Sequence, residues 1–287
     1  MEKIEIGLIG GSGLYQMEEL KDVEEIEVDT PFGSPSDSYI VGTLSGRKVA
    51  FLSRHSRGHR LLPSEINYRA NIFGFKMLGV EWIISASAVG SMREDRKPMD
   101  IVIPDQFFDR TKNRKATFFG DGIAIHISFA EPLCPTLSQI LLEAGQQVKC
   151  TIYKGGTYLC MEGPQFSTKA ESFIYRSWGV DVIGMTNLTE AKLAREAEIC
   201  YATLALVTDY DVWHEVEEEV SVGVIVEILQ KNAETAQRIM KAAINAIPQE
   251  RNCSCARALE GAIITDKSLI SKDLKKKLSL IIGKYLD

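Results

Sequence analysis

The segment MTNLTEAKLAREAEICYATLALVTDYDVW, residues 185–213, decides the expected fold. Its first half predicts a helix that begins near Asn187. Its second half contains the apolar run YATLALVTD at 201–209, which is typical of a buried strand. A helix that leads directly into a buried strand is the repeating unit of a largely parallel sheet flanked by helices. The strand ends in two carboxylates, Asp209 and Asp211. A buried apolar strand does not need charged residues for its packing, so these two residues call for another explanation.

The rest of the chain alternates strands and helices in the same way. Strands are predicted at residues 4–10, 82–88, 100–104, 157–161 and 181–185, with a hairpin at 38–54 that turns at Ser45-Gly46. Helices are predicted to begin at the N-caps Ser64, Ser167 and Ser221, and the second carries an apolar stripe of Ala170, Phe173, Ile174 and Trp178. No linker or repeat divides the chain. Residues 1–287 are therefore predicted to form one α/β domain with a central mixed, mostly parallel twisted sheet flanked by helices, and a C-terminal helical extension from about 251.

Composition and charge exclude several classes of partner. The chain has 287 residues, a formal net charge of −6 and a pI near 5.4, which argues against binding nucleic acid or an acidic membrane surface. It has no apolar run of the roughly 20 residues that a membrane span needs and no secretory signal, so a cytoplasmic protein is expected. The six cysteines show no spacing suited to zinc, so no metal site is predicted, and their oxidation state stays open.

Three segments at predicted strand ends have the residues of an anion-binding cradle: GLIGGSGL at 7–14, SRHSRGHR at 53–60 and SASAVGS at 85–91. Backbone N–H groups between small residues bind anions, and Ser12, Ser87 and the N–H of Ala88 add donors. Arg54 can fork onto two phosphate oxygens, and His55 can add another hydrogen bond. Each segment also has a structural alternative. Residues 7–14 are compatible with a tight turn, residues 53–60 with a solvated basic loop and residues 85–91 with close helix–sheet packing. Three such segments at strand ends together favour the cradle.

Two further segments offer contacts for a flat ring and a sugar. In EGPQFS, residues 162–167, Phe166 can stack on a ring or pack against the start of the following helix. In GMTN, residues 184–187, Met185 can lie against a sugar and Thr186 can donate to the anion.

The aspartate pair fits the edge of a 6-aminopurine. If the strand continues through both residues, Asp209 and Asp211 share a face, and partial desolvation should raise the pKa of one of them. A protonated Asp209 would donate to N7 of the leaving base, while an ionised Asp211 would accept from the exocyclic amine. A 6-oxopurine presents an acceptor there, which a carboxylate repels. The alternative is an exposed, aspartate-rich turn.

Eight segments together resemble one family: IGLIGGSGLY (6–15), RHSRGHRLLPSEINYRANI (54–72), GSMRE (90–94), DQFFDRT (105–111), AEPLCP (130–135), EGPQFSTKAES (162–172), MTNLTEAKLAREAEICYA (185–202) and TDYDVW (208–213). They are similar to the methylthioadenosine phosphorylases, a branch of the trimeric purine nucleoside phosphorylases. The resemblance runs from near Ile6 to about Val226 and implies the nucleoside phosphorylase fold.

The resemblance also implies a role for each matching residue. Phosphate would contact Ser12, Arg54, His55, Ser87, Ala88 and Thr186. Ribose would meet Met185, the adenine ring would stack near Phe166, and Asp209 and Asp211 would read the edge of the base. The 5′-methylthio group would lie against Val222, Ile225 and Val226, with His126 contributed by a neighbouring subunit.

The expected activity is therefore phosphorolysis of methylthioadenosine to adenine and 5-methylthioribose-1-phosphate, a pentosyltransferase reaction of purine and methionine salvage. Asp209 and Asp211 are the expected catalytic residues. No cofactor is expected, since inorganic phosphate is a co-substrate, and the chain is expected to form a homotrimer or a hexamer. A broader purine nucleoside phosphorylase or a methylthioinosine phosphorylase is the alternative within this class. A non-catalytic nucleotide-binding protein is the alternative outside it.

Overall fold

The structure is a computed structural model that describes residues 3–11, 14, 17, 19–214 and 222–286, without the side chains of residues 222–226. The elements of the described residues, in chain order, are β1 (Ile6–Gly10), β2 (Lys21–Ile26), β3 (Tyr39–Leu44), β4 (Arg47–Ser53), α1 (Tyr68–Met77), β5 (Trp82–Ser91), β6 (Ile101–Ile103), β7 (Gln106–Arg110), α2 (Pro135–Gln147), β8 (Ile152–Lys154), β9 (Thr157–Met161), α3 (Lys169–Ser177), β10 (Val182–Gly184), α4 (Asn187–Glu196), β11 (Cys200–Tyr210), α5 (Val222–Ala246) and α6 (Lys272–Ile282).

One sheet contains all of these strands. Its path runs β2-β3-β4-β1-β5-β10-β9-β7, while β11 pairs with both β5 and β6, and β8 pairs with β6. Among the described residues, six strand pairs are parallel and four are antiparallel, which confirms the mixed, mostly parallel sheet. The predicted hairpin is formed by β3 and β4, and Ser45 and Gly46 at its turn both have positive φ.

The sheet separates two layers of helices because side chains alternate along its buried central strands. In β5, Ile83 packs into the core on the side of α1, α4 and α6, whereas Trp82 and Ile84 pack on the side of α2 and α5. None of the described helices is long and apolar enough to cross a bilayer. Because β1, β4 and β11 all run in the direction of β5, the residues that follow these strands meet at one edge of the sheet.

Two helices begin later than the sequence predicts. The N-cap of α1 is Asn67 and not Ser64, because residues 63–65 form a separate turn. The N-cap of α3 is Thr168, one residue after Ser167, where a full capping box forms. Ser221 lies outside the described residues, and α5 is described from Val222.

The apolar stripe of α3 points away from the core, although a stripe of this kind normally faces it. Phe173, Ile174 and Trp178 are 54%, 48% and 51% exposed. The helix is held on the sheet instead by Ser172 and Tyr175, which are buried. Periodicity shows that a helix has an apolar face, but a second protein surface can cover that face as well as the core can.

Glu196, the last residue of α4, is a buried carboxyl. Its oxygens accept from the Thr117 hydroxyl (2.6 Å) and the Phe118 N–H (2.7 Å), and burial raises its pKa to about 7. The pKa of Glu196 in the folded protein therefore lies above its value of about 4.5 in the unfolded chain. The protonated carboxyl contributes its full stabilisation below pH 4.5, and this stabilisation is lost as pH rises through 7. We expect Glu196→Gln to stabilise the fold by up to about 3 kcal/mol at pH 8 and to change it little at pH 4.5.

Thermal unfolding at both pH values measures this difference. The exposed Glu260→Gln variant is the control, since it removes the same charge without burial and should show no such dependence on pH. An equal shift of Tm at both pH values for Glu196→Gln would show that this carboxyl does not titrate in the folded protein.

Candidate active site

Two strand ends and a neighbouring strand meet at one edge of the sheet. β4, β1 and β5 are parallel neighbours, with Gly10 beside Ser53 and Ile9 beside Ser85 in the register. The Arg54 N–H donates to the Gly10 carbonyl (3.0 Å), which joins the end of β4 to the end of β1. One expectation was wrong: residues 85–91 do not follow the strand but belong to β5, because β11 pairs with its whole length.

Arg54 is buried at this edge and is paired with a carboxylate that the sequence analysis did not identify. Its Nε and Nη2 donate to the two oxygens of Glu190 at 2.5 and 3.2 Å. Its Nη1 donates to the Ala86 carbonyl (2.8 Å) and its Nη2 to the Ser85 hydroxyl (2.5 Å). Burial opposes the charge, but the Glu190 carboxylate outweighs it and raises the pKa of Arg54.

Among the described residues, these four bonds leave one of the five N–H groups of the guanidinium, on Nη1, without a partner. The sequence predicted that two N–H groups of Arg54 would donate to two phosphate oxygens. In the structure this pair of donors binds the Glu190 carboxylate instead. Contact between Arg54 and phosphate stays a prediction, and it would use a single N–H.

A buried polar network fixes the start of α4 against the sheet. The Asn187 amide nitrogen lies 3.0, 2.9 and 2.7 Å from the hydroxyls of Ser85, Tyr201 and Thr203. The Tyr201 hydroxyl donates to Glu190 (2.7 Å), so the network also includes the partner of Arg54. All of these side chains are buried, and a bonded network in a low-dielectric interior holds its members in one arrangement.

The start of α4 is a buried helix N-terminus with the properties of an anion site. Thr186 is its N-cap, and within the described structure its side chain makes no capping bond. The first N–H groups of a helix lack partners within the helix, and the positive end of its dipole lies there. The Ser87 hydroxyl donates to Asn187 Oδ1 (2.6 Å), and the Thr186 hydroxyl lies 3.4 Å from the same oxygen. Ser87 and Thr186 therefore converge, and the exposed Ala88 follows in β5.

His55 is neutral, and its accessible nitrogen is an acceptor. Its Nδ1 lies 2.8 Å from the Leu61 carbonyl, which can only accept, so the proton is on Nδ1 and Nε2 has a lone pair. Burial lowers the pKa of His55 to about 4, and the ring stacks on His59 with centroids 4.3 Å apart. The predicted hydrogen bond to phosphate would therefore require a proton on the phosphate oxygen.

Asp209 and Asp211 occupy different environments at the end of β11. A β-bulge at Thr208 shifts the register, so that Asp209 lies opposite Gly90 of β5. Asp209 is exposed at the edge, yet the protein around its carboxyl reduces hydration and raises its pKa, and the charge of Asp211 acts in the same direction. Asp211 follows the strand and is buried, and its carboxylate accepts from the Ser172 hydroxyl (2.5 Å). The predicted strand does not continue through both, and the result is one accessible carboxyl and one buried, oriented acceptor.

Asp209 and the start of α4 both lie beside β5. Gly90, opposite Asp209, is three residues beyond Ser87 in β5, which corresponds to about 10 Å along the strand. β10 approaches the same place, since Ile183 pairs with Gly90, and the chain then continues into Met185 and Thr186.

Arg114 joins the two loops that the sequence analysis assigned to the ring and the sugar. Its guanidinium donates to the Met185 carbonyl (2.5 Å), the Glu162 carbonyl (2.8 Å) and the Glu162 carboxylate (3.0 Å). Met185 is therefore fixed between β10 and α4. Phe166 is 80% exposed, so the alternative in which it packs against the start of α3 is wrong for the single chain. Its contact with a base stays a prediction.

Five predicted positions are not placed against these residues. Ser12 and the side chains of Val222, Ile225 and Val226 lie outside the described part of the chain. His126 is exposed, and its backbone N–H donates to the Ala262 carbonyl (3.0 Å), beside the C-terminal segment. Its contribution to a neighbour's site stays a prediction.

Three residues of this arrangement were missed by the sequence analysis. Asn187 and Glu190 are three residues apart and therefore lie on one face of α4, which is a polar pair in a helix that is otherwise buried. That spacing was the available signal. Arg114 lies in the polar segment TKNRKAT, where nothing distinguishes it from a solvated residue.

Comparisons with known proteins show the family to which the chain belongs. Residues 5–245 match the phosphorylase superfamily. An S-methyl-5′-thioadenosine phosphorylase from Koribacter versatilis is 60% identical to this chain, covering 98% of this chain and 96% of its own length. One from Geobacter sulfurreducens is 59% identical over 100% of both. The chain belongs to the S-methyl-5′-thioadenosine phosphorylase family. It is therefore a pentosyltransferase of the purine nucleoside phosphorylase type.

Solved structures confirm the fold. A methylthioadenosine phosphorylase sourced from an antarctic soil metagenomic library has a TM-score of 0.94 at 49% identity, covering 98% of this chain and 99% of its own. The methylthioadenosine phosphorylase from Schistosoma mansoni in complex with adenine has a TM-score of 0.80 at 34% identity, with 98% of each chain covered. The nucleoside phosphorylase fold implied by the sequence is thus confirmed.

Proposed function

We propose that the chain cleaves S-methyl-5′-thioadenosine with inorganic phosphate to give adenine and 5-methylthioribose-1-phosphate. The observation that carries the proposal is the bulged end of β11, where Asp209 has a raised pKa and lies opposite Gly90, three residues or about 10 Å along β5 from Ser87. This arrangement supplies an acid for the leaving base and a binding site for the nucleophile. Relatives that are 47–60% identical carry the name of this activity.

Phosphate would bind at the N-terminus of α4, since unpaired N–H groups and the helix dipole favour an anion there. Thr186, Ser87 and the N–H of Ala88 would donate to it, with one further N–H from Arg54. The neutral His55 would accept from a protonated phosphate oxygen. Holding the anion below C1′ of the sugar would contribute several kcal/mol through positioning alone. No metal or organic cofactor takes part in this proposal, and phosphate is the co-substrate.

The base would leave as a neutral purine. As the C1′–N9 bond breaks, its electron pair moves into the purine ring, and N7 takes the proton of the Asp209 carboxyl. A phosphate oxygen then forms the new bond to C1′. Burial of the carboxyl under the base would raise the pKa of Asp209 further, which keeps the proton available. Asp211, oriented by Ser172, would accept from the 6-amino group and would repel a 6-oxo group.

Product analysis tests the proposal. We expect adenine and a phosphorylated sugar from S-methyl-5′-thioadenosine only when phosphate is present, and little hypoxanthine from methylthioinosine. Adenosine in the same panel measures the discrimination at the 5′ position and separates this activity from a broader purine nucleoside phosphorylase. Absence of phosphate consumption with all three nucleosides would contradict the proposal.

We also propose that the chain assembles as a homotrimer through the apolar face of α3. This face consists of Phe173, Ile174 and Trp178, and Trp178 packs on the exposed Phe108 with ring centroids 5.2 Å apart. An exposed apolar patch of this kind is typical of an interface. Phe166 lies next to it in sequence and is exposed, so a neighbouring copy on this face would lie beside the candidate active site. A cytoplasmic location stays a prediction from composition.

Phe173→Glu should convert the trimer to monomers and lower activity, because a charge in the apolar contact opposes association and the active site would lose its neighbour. Light scattering coupled to size-exclusion chromatography measures the mass. Val23→Glu is the matched control: Val23 is 57% exposed on β2, at the opposite end of the sheet path from β7. A Phe173→Glu variant with unchanged mass would exclude α3 from the interface.

A further inference from the structure

Four cysteines come together at the end of the sheet opposite to the candidate active site. Cys200 begins β11, whose other end carries Asp209, about 30 Å away along the strand. Cys134 caps α2, and Cys253 and Cys255 belong to the turn that follows α5. The four sulfur atoms all lie within 4.8 Å of one another. Cys253 is half-buried and the other three are buried.

The sulfur positions fit one tetrahedral metal ion. Cys253 Sγ lies 3.8 Å from Cys134 Sγ and 3.2 Å from Cys200 Sγ. Thiolates that bind Zn²⁺ at about 2.3 Å form a tetrahedron with edges of about 3.8 Å. A disulfide requires about 2.05 Å, and all of these cysteines are free. The four sulfurs are therefore close enough to bind one ion, and they do not form covalent pairs.

One sulfur of the cluster also accepts a backbone hydrogen bond at the start of a helix. The N–H of Leu137, in the first turn of α2, donates to Cys134 Sγ (3.5 Å) and adds positive potential.

We propose that Cys134, Cys200, Cys253 and Cys255 bind one Zn²⁺ ion as a structural site. Each sulfur binds as a thiolate and releases its proton to solvent, and the ion undergoes no redox change. Four protein ligands fill the tetrahedral shell, so no position is left for water or substrate. The site joins the C-terminal segment to the starts of β11 and α2. Sequence spacing did not reveal it because the ligands come from three separate segments.

Titration with Co²⁺ tests the site on the complete chain. Protein that has been stripped of metal and kept reduced should bind one Co²⁺ per chain with the charge-transfer absorption of a tetrahedral thiolate complex. One equivalent of Zn²⁺ should then remove this absorption. We expect the metal-free protein to have a Tm lower by about 5–10 °C. Turnover below that Tm should be unchanged, because the cluster lies far from the active site.

Two variants and a control identify the ligands. Cys253→Ser and Cys255→Ser should each lose the cobalt absorption, whereas Cys150→Ser should keep it, since Cys150 lies outside the cluster. The wild-type titration needs no variant, so poor folding of a variant does not affect the test. Four reactive thiols that bind no cobalt would overturn the proposal. A mass two or four hydrogens lower in unreduced, metal-free protein would also overturn it, because it would show disulfides.

Discussion

Asp209→Asn is expected to lower kcat for S-methyl-5′-thioadenosine by about 10²–10⁴-fold, the contribution of a positioned general acid. The amide can still hydrogen-bond to the base but cannot transfer a proton to N7. The dissociation constant of phosphate should be unchanged, because Asp209 lies opposite Gly90, about 10 Å along β5 from Ser87, where the phosphate is proposed to bind. Steady-state kinetics with phosphate binding measured by calorimetry checks both parts.

The dependence on pH distinguishes an acid from a structural residue. Because desolvation raises the pKa of Asp209, the wild type should lose activity as pH rises through that value, and the variant should lack this limb of the profile. Asp95→Asn is the control, as it changes an exposed aspartate that is paired with Arg93 (2.7 Å). Near-normal turnover in Asp209→Asn would remove the residue from the chemistry.

Glu190→Gln is expected to have the largest effect on stability. It leaves the Arg54 guanidinium buried and unpaired, and loss of one partner of a buried ion pair costs about 3–5 kcal/mol. The Tm should fall by roughly 10 °C. The phosphate KM should also rise, because Arg54 and the start of α4 lose the bonds that position them. Thermal unfolding and phosphate kinetics measure the two effects.

Glu94→Gln is the matched control for Glu190→Gln. Glu94 is paired with Arg176 (3.1 Å), but its side chain is 74% exposed, so removal of its charge should cost at most about 1 kcal/mol. If both variants lose the same small amount of stability, the Arg54–Glu190 pair does not carry the role assigned to it.

The sequence predicted the strands that are buried on both faces and missed those at the edges. β1, most of β4 and most of β11 are buried runs of mainly apolar residues, which is typical of the centre of a parallel sheet. β2 consists of residues 21–26 with mostly exposed charged side chains, and no strand was predicted there. Charge on an edge strand prevents pairing with other chains, and it also removes the periodicity by which a strand is recognised.

The candidate site was predictable where it depends on strand ends and unpredictable where it depends on long-range pairing. Arg54 and Asp209 follow or end buried strands that run in the direction of β5, and that position alone indicated the shared edge. Thr186 follows β10, which is antiparallel to β5 and reaches the same place from the other direction. Nothing in the sequence links Arg54 to Glu190, which is 136 residues later, so this ion pair could not be predicted. The bulge at Thr208 was equally hidden, because it arises from the register of β11 on β5.

The proposed chemistry requires Asp209 to deliver a proton to N7 of an adenine base. A crystal structure with adenine and phosphate bound would show whether the two groups meet. We expect a carboxylate oxygen of Asp209 within about 2.6–3.2 Å of N7, with Asp211 on the 6-amino group and phosphate at the start of α4. A base bound with N7 turned to solvent, or with Asp209 out of reach, would rule out this proton transfer.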